Sequence, residues 1–234
     1  MIIAIILAAG KGSRIESADR PKQYLNIDDK PMLVHTAERF LVCEQIDYIV
    51  ITVHKDWIQY TEGLFKDYGY ERITVCEGGD NRQESLYKAL VYCKEQLNAP
   101  DEAIILSHDA ARPFVTQEII IANIQSIQDG EVVTTVIPAI DTLIQSEDGL
   151  TMTAATDRYQ MFQVQTPQTF RLKQYLDVYK GLDEVEKLKS TDAAGLLNRH
   201  GLTIKLVRGA QKNFKITTDF DLRVAEMLSG GFSV

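Results

Sequence analysis

A basic excess is missing from this chain of 234 residues: 25 Lys and Arg face 33 Asp and Glu, for a formal net charge of −8. Neutralising a nucleic-acid backbone needs a basic surface, so DNA and RNA are not expected partners, whereas a lone nucleotide needs only a local basic cluster. Cysteine is scarce as well. Cys43, Cys76 and Cys93 are odd in number, widely spaced and never arranged as C-x-x-C, which argues against a disulfide framework and a zinc site. No apolar run approaches a membrane span, and residues 2–9 are too short and wrongly flanked for a signal peptide. A cytoplasmic protein with no membrane partner is the expectation. A Ser/His/Asp order, a Cys/His signature and a His-rich ligand spacing are all absent. Repeats, low-complexity tracts and Pro/Gly/Ser linkers are lacking too, so residues 1–234 read as one domain.

What is present concentrates first at residues 2–23. Branched apolar residues 2–7, ending in Leu7, read as a buried strand that breaks into Ala8-Ala9-Gly10-Lys11-Gly12-Ser13-Arg14. Small side chains let backbone N–H groups approach an anion, and the two glycines permit the dihedrals such a loop needs. Arg14 and Lys22 add a fork and a point charge for phosphate oxygens. Ile15 stands where a dinucleotide loop needs its third glycine, and no upstream glycine completes a P-loop. The segment therefore reads as a nucleoside-triphosphate grip, the plainer alternative being a strand-to-helix turn that merely uses glycine.

Beyond it, strand-like and helix-like stretches alternate. Strands are expected at 48–53, 73–76, 103–107 and 132–138, with helices at 31–41, 57–68, 83–96 and 119–128. This alternation predicts an α/β fold, a Rossmann-like, mostly parallel sheet with helices on both faces. Residues 141–145 and 150–155 flank Ser146-Glu147-Asp148-Gly149 and read as a hairpin turning at Asp-Gly. Lacking a sheet face of its own, such an inserted arm commonly packs on a second subunit. The chain then closes with the segment 175–179, a helix around 193–200, a strand at 203–207 and a helix at 220–228.

Four polar clusters fall at expected strand ends. Gly78-Gly79-Asp80-Asn81-Arg82-Gln83-Glu84-Ser85 opens a helix with Arg82 and Ser85 near its N-terminus, suited to a base, ribose or phosphate. In His108-Asp109-Ala110-Ala111-Arg112-Pro113, Asp109 can help hold Mg²⁺ or accept from a sugar hydroxyl, and Arg112 can pair with phosphate. An Asp–Arg ion pair bracing a loop is the competing reading. Thr166, before Pro167 in Val164–Phe170, is pushed towards an extended backbone that fixes its hydroxyl, a rigid loop being the plainer alternative. Lys215, just ahead of the last helix, is either a solvated lysine or a further charge on a triphosphate. Taken together, Arg14, Lys22, Lys215, Asp109, Arg112 and Arg158 suit in-line displacement at phosphorus, where positioning and charge stabilisation suffice.

The ordered set Leu-Ala-Ala-Gly-x-Gly-x-Arg (7–14), Pro-Lys-Gln (21–23), Gly-Gly-x-x-Arg-x-x-Ser (78–85), His-Asp-Ala-Ala-Arg-Pro (108–113), Asp-Thr (141–142), Gln-Thr-Pro-Gln-x-Phe (165–170), Thr-Asp-Ala (191–193) and Asn-x-Lys-Ile-Thr (213–217) resembles one family. It is that of the methylerythritol 4-phosphate and ribitol 5-phosphate cytidylyltransferases. The resemblance implies a Mg²⁺-dependent nucleotidyltransferase that moves CMP from CTP to a polyol phosphate and releases pyrophosphate. It implies catalytic roles for Arg14, Lys22 and Lys215, and CTP binding by Leu7, Ala8, Ala9, Gly10, Gly12, Gly79, Arg82 and Ser85. Asp109, Arg112, Thr142, Arg158, Thr166 and Thr191 would bind the polyol phosphate, Asp109 also lying near the metal. An arm of about residues 137–160 would cross to a second subunit of a homodimer, taking Thr142 and Arg158 with it.

Two acceptors stay open. Leu143-Ile144 follows Asp141-Thr142 where the methylerythritol branch usually carries Lys two residues after the Thr. A single Asp192 stands where that branch usually has two acids, and Val53-His54-Lys55-Asp56-Trp57 looks like the ribitol branch. D-ribitol 5-phosphate is therefore favoured, with 2-C-methyl-D-erythritol 4-phosphate the alternative and a nucleotide-binding regulator without turnover a remote one.

Overall fold

The near-unbroken apolar run at Ile2–Ala8 forms β1, buried on both faces as the middle of a covered parallel sheet requires. The computed structural model describes residues 1–10, 20–127 and 131–230. After β1 come β2 (Asn26–Ile27), β3 (Lys30–Pro31), α1 (Met32–Leu41), β4 (Tyr48–Val53), α2 (Ile58–Asp67), β5 (Ile73–Glu77), α3 (Arg82–Gln96) and β6 (Ile104–Asp109). The chain continues through α4 (Gln117–Ser126), β7 (Glu131–Pro138), β8 (Ile144–Gln145), β9 (Ala154–Ala155) and β10 (Phe162–Arg171). It ends in α5 (Leu172–Lys180), α6 (Glu184–Lys189), α7 (Ala193–Arg199), β11 (Thr203–Arg208) and α8 (Asp219–Ser229).

Seven strands make one sheet in the order β11-β7-β10-β6-β1-β4-β5. β1 runs parallel to both β4 and β6, β5 parallel to β4, and β11 parallel to β7. Along β1 the pleat divides the core: Ile3 and Ile5 pack with α3, α5 and α7 side chains, Ala4 and Ile6 with those of α1 and α4. Helices thus cover both faces, as the alternation in the sequence predicts. No helix among the described residues is long and apolar enough to cross a membrane. All three cysteines are free and buried, and burial pushes the Cys76 and Cys93 thiols up to about 12.

β10 departs from the sequence reading. The stretch around Thr166, for which a rigid loop is the plainer alternative and no strand is expected, lies inside a ten-residue strand that is antiparallel to both β6 and β7. Its register against β7 shifts between Gln165 and Gln168, and Pro167, which has no N–H to give, occupies that irregularity. The polar residues that disguise the strand are buried with partners. Gln168 donates to Thr134 Oγ1 at 3.1 Å and accepts from the Ala193 and Ala194 N–H groups that open α7, and Thr169 donates to Asn123.

The hairpin is present but short, β8 pairing with β9 over only two residues each. Asp148 takes the place of longer strands: its carboxylate accepts from the N–H groups of Leu150 and Thr151 and from the hydroxyls of Ser146 and Thr151. Gly149, at a φ of +71°, completes that turn.

Candidate active site

Parallel strands send their carboxyl ends to one edge of the sheet, and ligands of open α/β sheets bind there, where strand order reverses. Here the order reverses at β1, which has β4 and β5 on one side and β6 on the other. A cavity of about 310 Å³ opens at that edge. Its walls are Leu7–Gly10 at the end of β1, Lys22 and Gln23, Gly79–Arg82 with Ser85 at the start of α3, Asp109–Ala111 at the end of β6, and Lys215.

Each wall is held by local chemistry. Gln23, almost wholly buried, donates its side-chain amide to the carbonyls of Ala8 at 2.6 Å and Gly10 at 3.2 Å. Both carbonyls are thereby tied to Gln23. Asn81 caps α3, accepting from the Glu84 N–H, while Ser85 Oγ accepts from the Gly79 N–H at 3.0 Å. Gly78 allows the two loops to touch, because a Cβ there would lie 2.4 Å from Ala9 Cβ and 3.1 Å from Ser85 Oγ. Gly78→Ala is accordingly expected to cost about 1–3 kcal/mol by overpacking and to weaken ligand binding in the cavity. Thermal melting and calorimetry would check this, and a variant with unchanged melting and affinity would show that the contact is immaterial.

Asp109 is the electrostatic centre. Oδ1 accepts from Arg82 Nε at 3.1 Å, Oδ2 from Lys215 Nζ at 2.8 Å, and Arg112 Nε stands 3.9 Å away. Burial works against its charge, but Arg82, Lys215 and Arg112 hold the carboxyl well below the usual carboxylate range. Three cations therefore surround one anion. Both terminal nitrogens of Arg82 are buried without a hydrogen-bond partner among the described residues. Buried donors are normally satisfied, so this surplus of charge and N–H groups suits an anion.

His108 supports the same corner from inside the core. Its Nε2 lies 3.1 Å from the Arg112 carbonyl and its Nδ1 3.1 Å from Thr166 Oγ1. A carbonyl can only accept, so Nε2 carries the proton and the Thr166 hydroxyl donates to Nδ1. Thr166 Oγ1 in turn accepts from the Asp109 N–H at 3.1 Å. Burial pushes the His108 pKa down to about 4, which keeps the ring neutral at physiological pH.

The model of the 2-C-methyl-D-erythritol 4-phosphate cytidylyltransferase (IspD) family matches residues 2–230. The chain belongs to that family. Among curated cytidylyltransferases, the ribitol-5-phosphate cytidylyltransferase of Lactiplantibacillus plantarum is 41% identical over 229 residues, covering 97% of this chain and 98% of the relative. The fold agrees. The 4-diphosphocytidyl-2C-methyl-D-erythritol synthase of Anaerococcus prevotii superposes with a TM-score of 0.83 at 26% identity, covering 99% of this chain and 96% of the other. The 2-C-methyl-D-erythritol 4-phosphate cytidylyltransferase of Francisella tularensis gives 0.80 at 29% identity, with 97% and 98% covered.

For a cytidylyltransferase, the cavity gathers Leu7, Ala8, Ala9, Gly10, Lys22, Gly79, Arg82, Ser85, Asp109 and Lys215, all singled out in the sequence. Lys22 also reaches inward, donating to the Ile216 carbonyl at 2.8 Å. Gly12 and Arg14 lie outside the described residues. Arg112 and Thr166 sit behind the wall, Arg112 donating to the Asn213 carbonyl at 2.8 Å. Thr142 and Arg158 are exposed on the arm, where Arg158 stacks over the Tyr159 ring. Thr191 is exposed between α6 and α7. Gln23, Asp80, Asn81, Ala110 and Ala111 also line the cavity without having been given a role in the sequence. They sit within or beside the quoted motifs, and that adjacency was the available signal.

Proposed function

We propose that this chain transfers CMP from CTP to D-ribitol 5-phosphate, forming CDP-ribitol and pyrophosphate. The observation carrying this reading is the cavity that unites the small-residue loop after β1, the N-terminus of α3 and Lys215 around Asp109. An oxygen of the acceptor phosphate attacks the α-phosphorus of CTP as the bond to the β-phosphate oxygen breaks. Nothing in the protein need become covalently attached. Lys215 meets the charge that grows on the α-phosphate, Arg14 and Lys22 hold the triphosphate, and Gly79, Arg82 and Ser85 hold the cytidine end. Arg112, Thr142, Arg158, Thr166 and Thr191 serve the acceptor. The 41% identical ribitol-5-phosphate enzyme supports the choice of acceptor, as do Ile144 and the single Asp192. The family description and the solved relatives favour the branched alternative.

Mg²⁺ fits the donor chemistry. Asp109 is a hard oxygen donor inside the cavity, and no group of three His, Cys, Asp or Glu among the described residues forms a metal cage. That matches an ion carried mainly by phosphate oxygens and water with one carboxylate. When bound, it neutralises charge on the triphosphate and the leaving pyrophosphate. The reading is tested by incubating the chain with CTP, Mg²⁺ and D-ribitol 5-phosphate, following pyrophosphate release and the mass of CDP-ribitol. Absence of a CDP-polyol would sink it.

The arm supports a two-fold dimer. Ile144, Leu150 and Tyr159 are exposed by 55%, 91% and 82%, more apolar surface than a four-residue ladder can cover. Thr142 and Arg158 then act in the neighbour's site. Mixing inactive Arg158→Ala with inactive Lys215→Ala subunits is expected to restore part of the activity, since mixed dimers regain one intact site. No recovery after verified subunit exchange would refute sharing across the interface.

A further inference from the structure

Asn213 lies outside the cavity wall, yet its bonds converge on the Asp109 corner. It is fully buried, and its Nδ2 donates to the Thr166 carbonyl at 2.9 Å and to Gln165 Oε1 at 3.2 Å. Its own carbonyl accepts from Arg112 Nη1 at 2.8 Å. Thr166 and Arg112 both bear on Asp109: one takes its N–H, the other stands 3.9 Å from its Oδ2. Two residues further on, Lys215 reaches that same Oδ2 at 2.8 Å. Beyond Lys215 the loop is held again, the Ile216 N–H donating to the Ala111 carbonyl and the Ile216 carbonyl accepting from Lys22. Lys215 is therefore presented from a short span fixed at both ends, with Asn213 as the upstream anchor.

The anchor has its own built space. Gln165 ties the same loop by donating to the Ala210 carbonyl at 2.9 Å, and Gly209 makes room for it. A Cβ at Gly209 would stand 2.3 Å from Gln165 Oε1, the atom that receives Asn213. A long flexible lysine delivers its charge reliably only from a fixed backbone, and a misplacement of about 1 Å can cost on the order of 10²-fold in rate.

We propose that Asn213 is a positioning residue for Lys215, locking the lysine's loop to β10 and to Arg112 so that its ammonium meets the reacting phosphate. The proposal rests on the role assigned to Lys215 above. Asn213→Ala and Gln165→Met are each expected to lower kcat by about 100-fold with a change in the CTP KM below about threefold. A residue important only for stability would lower the melting temperature without that split. In the Lys215→Ala background, adding either substitution should cost less than about threefold more, because a lost lysine cannot be further misplaced. Gln165→Met approaches the anchor from β10 and carries the test if Asn213→Ala does not fold. Multiplicative losses in the double variants, or normal kcat in the folded single ones, would overturn the proposal. Should Lys215→Ala itself keep full kcat, the reading of Lys215 falls and the positioning role with it.

Discussion

With CTP and Mg²⁺ supplied, D-ribitol 5-phosphate is expected to give a kcat/KM above that of 2-C-methyl-D-erythritol 4-phosphate by as much as about 10⁴. The linear acceptor carries one more hydroxyl and lacks the methyl branch. A site built to hydrogen-bond a hydroxyl is left with unpaired polar groups when an analogue without it enters, and the penalty is large. Ile144, at the start of the arm's first strand, brings an apolar side chain where a methylerythritol enzyme usually has a cation. In the proposed reading, Arg112 and Arg158 supply the charge a phosphate monoester requires. Both acceptors should be measured side by side over a range of concentrations. A preference for the branched compound would reverse the acceptor assignment and leave cytidylyl transfer untouched.

Replacing Lys215 by Ala is expected to lower kcat by about 10²–10³ while CTP binding changes far less. The ammonium already forms a 2.8 Å ion pair with the buried Asp109 at the cavity wall. Arg82 and Lys22 also line the cavity, so in the proposed reading nucleotide affinity has other support in the ground state. As the acceptor oxygen attacks, negative charge grows on the α-phosphate. An interaction that strengthens only then contributes to kcat rather than to binding. Saturating kinetics alongside CTP affinity by calorimetry would separate the two, and an unchanged kcat would remove Lys215 from the mechanism.

The sheet was legible in the sequence where strands are apolar and flanked by amphipathic helices, as at β1, β4 and β6. β10 was not, because Gln165, Thr166, Gln168 and Thr169 are buried polar residues whose partners lie far along the chain. Local pattern carries no trace of such partners, and Pro167 points towards a loop. α6 escaped for a different reason, since six residues are too few for a helical period to stand out. The cavity itself was largely readable, because its walls are short motifs at strand ends. Gln23 and Asn213 show the limit of that approach: they do their work on the carbonyls of Ala8, Gly10 and Thr166, and only the fold brings those carbonyls within reach.

The place of β10 has a further consequence for how the chain is made. β1, β4, β5 and β6 lie within the first 109 residues and are joined through helices, so they can pair while synthesis continues. The loops of the nucleotide cradle are thus translated long before residue 215. Until β10 arrives, the outer side of β6 has no neighbour, for β10 separates it from β7. An unpaired apolar strand edge recruits other chains. Polypeptides halted before residue 162 are expected to clump through β6, so that arrival of this one reversed strand marks when the growing protein becomes safe to leave unattended.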